Sequence, residues 1–233
     1  MADVEIASLS ITGYASKPVP NRFWRQKTVN ARAVGILLPG LTYSCDMPLL
    51  FYPARLLLQL GADVLQVNSD YTVPAFRNTS RPEQANWLGS DAQAAVQAGL
   101  AQRGYSYLVL IGKSIGTLAL AHLLSQDFGA KISPANTLWV WMTPLLRQPW
   151  LVEAALRLKS LALFIAGTGD STYDAREMER IRAATGADLL AVDGADHSLE
   201  IASDIHKSLL ILVEVMQRME QFLTRHGVVS QSR

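Results

Sequence analysis

The sequence predicts an α/β fold, built on a mostly parallel central sheet with helices on both faces. Short apolar runs rich in β-branched residues and leucine alternate along the chain with longer, helix-like segments. This alternation is typical of parallel strands joined by crossover helices. Apolar residues make up 49% of the 233 residues and charged residues 18%, a composition that supports a buried core and excludes a disordered chain. No repeat or composition break divides the chain, so we expect one domain over residues 1–233.

The predicted elements follow in chain order. The alternating segment Val4–Ile11 predicts an outer strand, and the irregular stretch Gly13–Val29 has room for a second. Six further strands are predicted where short apolar runs end at turn residues: 33–38, 63–67, 107–111, 137–142, 161–166 and 188–192. Helices are predicted between or after them: 48–60, 80–103, 115–126, 150–159, 174–184 and 201–223. Asp46 is the expected N-cap of the first helix, and the segment beginning at Ser80 has a capping-box pattern.

The loop after the 107–111 strand carries a candidate nucleophile. It reads Gly112-Lys113-Ser114-Ile115-Gly116, a G-x-S-x-G sequence between a predicted strand and a predicted helix. A strand that turns directly into a helix holds its serine in a strained conformation, and the two glycines let the strand and helix approach closely. The Ile115 amide then lies at a helix N-terminus, where it is a candidate donor to an oxyanion.

The same residues also read as the G-K-S of a phosphate-binding loop. That motif has another glycine five residues before the glycine that precedes the lysine. Here that position is Tyr107, inside the predicted strand. We therefore reject a nucleotide-binding loop.

A serine hydrolase whose nucleophile lies in a G-x-S-x-G loop between a strand and a helix has an acid and then a histidine later in the chain. Asp170 follows the 161–166 strand on a glycine-rich turn, and the alternative is that it merely caps the next helix, as Thr172 or Asp174 could. Of the four histidines, His197 follows the last predicted strand directly, whereas His122 would lie roughly 12 Å along the helix from Ser114. The expected triad is therefore Ser114, Asp170 and His197.

The loop after the first central strand, beginning Pro39-Gly40, is the candidate second half of an oxyanion hole. We expect the Leu41 amide to be the second donor, with Thr42 in reserve, although an ordinary strand–helix turn would look the same. Candidate substrate-binding residues are Thr42, Tyr43 and Lys113, and Trp150 is a further candidate for lining the pocket. The charge of Lys113 would favour anionic substrates if it reached the mouth of the site, but the leading interpretation of this residue is a solvated surface lysine.

The alternating layout, the Gly112–Gly116 elbow and the order of Ser114, Asp170 and His197 resemble the α/β-hydrolase family over nearly the whole chain. The chain is similar to small lidless members related to dienelactone hydrolase, and to short predicted hydrolases with a lysine or arginine before the elbow serine. It departs from the family at Pro39, where a histidine is usual, at Thr117, where a second glycine is frequent, and in having serine rather than the cysteine of the dienelactone branch. The connection over residues 143–149 is too short for a helical lid, so the resemblance implies an open, shallow site.

The leading expectation is a serine esterase or thioesterase acting on a small acyl substrate. The alternatives are an acyltransferase or a carbon–carbon or peptide-bond hydrolase with the same triad, or a hydrolase fold that only binds. Paired histidine or cysteine ligands are missing, so we expect no metal and no cofactor. The net charge of +1 gives no reason to expect nucleic acid or a membrane as partner. The lone Cys45, and a beginning without a signal-peptide pattern, predict a cytoplasmic protein. The sequence leaves the oligomeric state open.

Overall fold

The computed structural model describes residues 3–28, 30–125 and 133–229. Val29 and Gln126, the last residues of two predicted segments, lie outside these ranges. Within them the chain forms one eight-stranded sheet with helices on both sides, as the sequence predicts. None of the described helices is both long and apolar enough to span a bilayer.

The strands run in the spatial order β1-β2-β4-β3-β5-β6-β7-β8. The first two strands pair antiparallel with each other, and β2 pairs antiparallel with β4, whereas all pairs from β4 to β8 are parallel. In chain order the strands β1 to β8 are Val4–Ala7, Asn21–Gln26, Ala33–Leu38, Asp63–Val67, Tyr107–Lys113, Thr137–Met142, Leu161–Gly167 and Asp188–Val192. The central strands are buried on both faces, which explains their continuous apolar sequences.

The helices cover the sheet in two layers. Helices α1 and α7 pack on one face, and α3 to α6 pack on the other. In chain order α1 to α7 are Pro48–Gln59, Pro74–Arg77, Arg81–Leu100, Ile115–Ser125, Pro149–Ala155, Ala175–Thr185 and Ile205–Arg225. Trp139 and Trp141 of β6 are buried in the layer beneath α3 to α6, as expected of core residues. Short 3₁₀ turns occur at Tyr14–Ser16 and Pro134–Asn136.

Most predicted strands match the structure, whereas several helix ends differ for local reasons. The N-cap of α1 is Met47 and not Asp46, because the Asp46 carboxylate accepts a hydrogen bond from Arg22 at 2.9 Å. The Ser80 cap is confirmed, since its side chain accepts from the Glu83 amide. Helix α7 begins four residues later than predicted, at Ile205, because Asp204 caps it.

Candidate active site

The nucleophile elbow has the geometry that its two glycines require. Ser114 joins β5 to α4 with φ of 56°, a left-handed conformation that is strained for a residue with a side chain. A Cβ added to Gly112 would lie 2.5 Å from the carbonyl oxygen of Gly116. A Cβ added to Gly116 would lie 2.4 Å from the carbonyl oxygen of Leu38, at the end of β3. Glycine at both positions therefore lets β5, α4 and the end of β3 meet around the serine.

The structure brings the three predicted triad residues into one hydrogen-bonded chain. His197 Nε2 lies 2.8 Å from Ser114 Oγ, and His197 Nδ1 lies 2.6 Å from Asp170 Oδ2. The three side chains come from the loops after β5, β7 and β8, at the carboxyl edge of the sheet. About a third of the His197 side chain is exposed, whereas Asp170 is buried. A substrate can therefore reach the imidazole while the carboxylate stays covered.

The loops that carry the acid and the base pack closely through glycine. A Cβ on Gly167 would lie 2.1 Å from the carbonyl oxygen of Ala195, and one on Gly169 would lie 2.8 Å from that of Gly194. The Gly169 amide also donates to Ala195 at 2.9 Å. Glycine is therefore needed before Asp170 for close packing against the loop of His197 as well as for forming the turn.

Asp170 is held as a carboxylate by its neighbours. It accepts hydrogen bonds from the Thr172 amide at 2.7 Å and the Thr172 hydroxyl at 2.9 Å, besides the bond from His197. Burial raises the pKa of Asp170, but the hydrogen bonds from His197 and Thr172 outweigh it and hold the pKa below its usual value. The neighbouring candidate, Asp174, caps α6 by accepting from the Arg176 and Glu177 amides. The structure therefore places Asp170, the carboxylate that the sequence favours, against His197, and it gives the capping role to Asp174.

The two predicted oxyanion donors, Leu41 and Ile115, line the same groove. Ile115 is the first residue of α4, so its amide has no acceptor within the helix and lies at the positive end of the helix dipole. The Leu41 amide donates to no backbone carbonyl of the described residues. Gly40 packs against the elbow, since a Cβ added there would lie 3.5 Å from Ser114 Cβ. The role of Leu41 and Ile115 as oxyanion donors stays a prediction.

A groove of about 390 Å³ begins at these two residues, a volume within the usual range of small-molecule sites. Its apolar part is formed by side chains on the α3–α6 side of the sheet: Leu41, Phe76, Leu88, Ile115, Leu118, Leu145 and Trp150. Trp150 therefore lines the groove, as expected. The segment between β6 and α5, residues 143–148, runs along one side of the groove and contains no lid helix.

The polar wall of the groove was not anticipated from the sequence. It comes from α2 and the start of α3, which supply the exposed guanidinium groups of Arg77 and Arg81 together with Gln84. No carboxylate of the described residues forms an ion pair with either arginine. The sequence did contain a signal for this wall. The segment with the capping box follows β4, and the carboxyl end of β4 lies at the same edge of the sheet as the serine loop.

Lys113 and Tyr43 lie away from this groove. Lys113 is 2% exposed, so it is not the solvated surface lysine that the sequence favours, and its charge does not reach the mouth of the site. As the last residue of β5 it shares a face with Val109 and Ile111, which pack on the α1 and α7 side. Tyr43 is partly buried on that side and its hydroxyl accepts from the Leu49 amide, so it does not line the groove as expected. Thr42 is exposed, and its contact with substrate stays a prediction.

No family model matches the chain, and no curated protein sequence matches it. Solved structures do. The lidless serine hydrolase XC6422 of Xanthomonas campestris is 15% identical, with a TM-score of 0.69 and coverage of 98% of this chain and 97% of that one. The Pyrococcus furiosus esterase Pf2001 is 16% identical, with a TM-score of 0.71 and coverage of 95% and 91%. The dienelactone hydrolase of Anabaena variabilis is 16% identical, with a TM-score of 0.66 and coverage of 95% and 98%.

These likenesses span nearly the full length of each chain. Because the sequences are only 15–16% identical, these structures establish the fold and nothing further. The protein therefore has the α/β-hydrolase fold, with no lid helix among the residues that the structure describes.

Proposed function

We propose that this protein is a serine hydrolase that cleaves a small ester or thioester through an acyl-enzyme intermediate. The observation that carries the proposal is the continuous hydrogen-bonded chain from Asp170 through His197 to Ser114, on a serine whose backbone is strained. Strained nucleophile turns of this kind persist where the surrounding structure enforces them, and they cluster at active sites. The structural neighbours described as a serine hydrolase, an esterase and a dienelactone hydrolase support the same reaction class.

The geometry fits each step of acyl transfer. Ser114 Oγ attacks the carbonyl carbon of the substrate while His197 Nε2, 2.8 Å away, accepts the hydroxyl proton. Asp170 holds the imidazole in the required tautomer and stabilises the imidazolium that forms. The Leu41 and Ile115 amides donate hydrogen bonds to the developing oxyanion. The imidazolium then protonates the leaving alcohol or thiol, and water repeats the sequence to release the acid.

We assign part of the substrate to the groove that begins at Leu41 and Ile115. Its apolar wall suits a short acyl or alcohol group, and Arg77 and Arg81 suit a polar or anionic substituent at the other wall. Because the groove is open and lidless, a long acyl chain would remain largely in water. We also propose a cytoplasmic location, which suits a chain with a single cysteine.

A fluorophosphonate probe tests the proposal directly, since it reacts with a serine activated by its own base. We expect stoichiometric labelling of Ser114, loss of labelling in Ser114→Ala, and an esterase rate lower by about 10⁴-fold or more. Ser44→Ala, which changes an exposed serine of the β3–α1 loop, is the matched control and should keep both properties. Absence of labelling in the folded wild-type protein would favour a fold that only binds. Hydrolysis limited to amides or to carbon–carbon bonds would show that the triad serves a peptide-bond or carbon–carbon hydrolase instead.

A further inference from the structure

Lys113, the residue directly before the nucleophile, has an environment that is unusual for a lysine. It is 2% exposed, and its Nζ donates a hydrogen bond to the backbone carbonyl of His197 at 3.1 Å. The same ammonium lies 4.5 Å from the ring centroid of Tyr43, within the range of a cation–π interaction. The side chain therefore reaches from the elbow to the residue that serves as general base.

The stem of Lys113 also touches the loop that carries the predicted oxyanion donor. A Cβ added to Gly40 would lie 3.4 Å from Lys113 Cδ and 2.9 Å from Tyr43 Cβ. The Gly40 amide in turn donates to the Tyr43 carbonyl at 2.9 Å, which closes this loop into a compact turn. The Lys113 side chain thus contacts the loops after β3 and β8, while its backbone is part of the nucleophile elbow after β5.

A lysine at this position carries a cost that an apolar residue would avoid. Lysine is among the residue types that are least often fully buried, because removing an ammonium from water is unfavourable. The neighbouring positions on this face, Val109 and Ile111, are apolar and pack in the core. Packing alone therefore does not explain a lysine at this position, whereas its hydrogen bond to the His197 carbonyl does.

The charge of Lys113 is balanced by groups from each loop packed against it. Asp170 lies on the loop after β7, Asp196 and His197 lie on the loop after β8, and Tyr43 contributes its ring from the loop after β3. Burial lowers the pKa of Lys113 to about 8, while Asp170 and Asp196 act in the opposite direction. The side chain is therefore protonated at neutral pH and becomes neutral under mildly alkaline conditions.

We propose that Lys113 is a positioning residue, whose ammonium fixes the backbone of His197 relative to Ser114 and the oxyanion loop. This inference rests on the proposed function. Holding the carbonyl of His197 restrains the residue that must keep hydrogen bonds to both Ser114 and Asp170. A displacement of about 1 Å at such a base can lower a rate by on the order of 100-fold. The ammonium is the active form, because loss of its charge removes the attraction to the Tyr43 ring and weakens the bond to the carbonyl.

The test compares Lys113→Met, in which the side chain is similar in length and has no charge, with Lys159→Met, which changes an exposed lysine. In Lys113→Met we expect kcat to fall by about 10- to 100-fold with little change in KM, and without a lower melting temperature. The wild-type kcat should decline as pH rises through about 8, and this alkaline decline should be absent in Lys113→Met. Lys159→Met should retain the wild-type kcat and pH profile.

A second measurement does not depend on turnover. In the wild-type protein labelled with ¹³C at the lysine ε-carbon, one resonance, lost in Lys113→Met, should titrate near pH 8. The rate of fluorophosphonate labelling of Ser114 in Lys113→Met should fall in parallel with kcat. Wild-type kcat and an unchanged alkaline decline in Lys113→Met would overturn the proposal, and so would a loss of activity matched by a fall in melting temperature.

Failure of the inference differs visibly from failure of the proposed function. If wild-type Ser114 reacts with the probe and Lys113→Met reacts equally fast, Lys113 does not position the base. If wild-type Ser114 fails to react at all, the proposed function fails, and the role of Lys113 fails with it.

Discussion

Replacing Lys113 with methionine should stabilise the protein at neutral pH, by an amount that disappears in alkali. The pKa of Lys113 falls from the ordinary lysine value of 10.5 to about 8 in the folded protein, chiefly because the side chain is buried. At 1.36 kcal/mol per pKa unit, this difference corresponds to about 3 kcal/mol of folding free energy. Methionine has a similar length and no charge to bury, so Lys113→Met should avoid most of that cost.

The sign follows from which state binds more protons. Below about pH 8 both folded and unfolded chains carry the proton on Lys113, and the folded state bears the full cost of the buried charge. Between about 8 and 10.5 the folded protein has lost this proton while the unfolded chain still binds it, so wild-type stability rises with pH. Above 10.5 neither state binds the proton and the cost is gone. The advantage of Lys113→Met should therefore be greatest at neutral pH and shrink by about 3 kcal/mol on going to pH 10.5.

Urea unfolding followed by tryptophan fluorescence at pH 7, 8.5 and 10 measures this difference. Comparing Lys113→Met with the wild type cancels the titration of groups that do not interact with Lys113, and Lys159→Met controls for the loss of one lysine from the surface. A Lys113→Met protein that is less stable than the wild type at pH 7 would refute the reasoning. So would a stability difference that stays constant from pH 7 to 10.

Three further outcomes are expected. Asp170→Asn should lower kcat by up to about 10⁴-fold through loss of the correct imidazole tautomer, whereas Asp174→Asn, which preserves a good N-cap, should leave steady-state kinetics unchanged. Gly116→Ala should lower the free energy of unfolding by about 1–3 kcal/mol and slow the labelling of the serine, because its Cβ would meet a backbone carbonyl. Gly99→Ala, where the Cβ meets the flexible end of an isoleucine, should cost less in urea unfolding. With nitrophenyl esters from acetate to palmitate, kcat/KM should peak at about two to six acyl carbons, and a steady rise toward palmitate would contradict a shallow groove.

The triad could be nominated from sequence because each of its members directly follows a strand. Parallel strands place their carboxyl ends at one edge of the sheet, so Ser114, Asp170 and His197 were expected to converge even though they are far apart in the chain. The fold itself followed from the same alternation of apolar runs and helical segments. These inferences depend on local order along the chain, which a single sequence contains.

Features that depend on loops meeting in space were beyond the sequence. Lys113 was expected near solvent, and its burial requires that the turn at Gly40 and the His197 loop close over the end of β5. The arginines of the groove wall belong to a segment whose distance from the serine depends on how α2 and α3 pack. Asp46 is not the cap of α1 because its carboxylate binds Arg22, which lies far back in the chain on β2. In each case the deciding contact joins residues that no local pattern connects.

The two walls of the groove come from chain segments other than those that hold the acid and the base. Residues 76–88 and 145–150 line much of the groove, whereas Asp170 and His197 are held by loops that pack on each other through Gly167 and Gly169. Substitutions in the first set can therefore change which molecules fit without moving the hydrogen bonds that activate the serine. A protein built this way can acquire a new substrate through changes at a few exposed positions of α2 and α3. Arg77 and Arg81 are the first positions to vary in a library designed for that purpose.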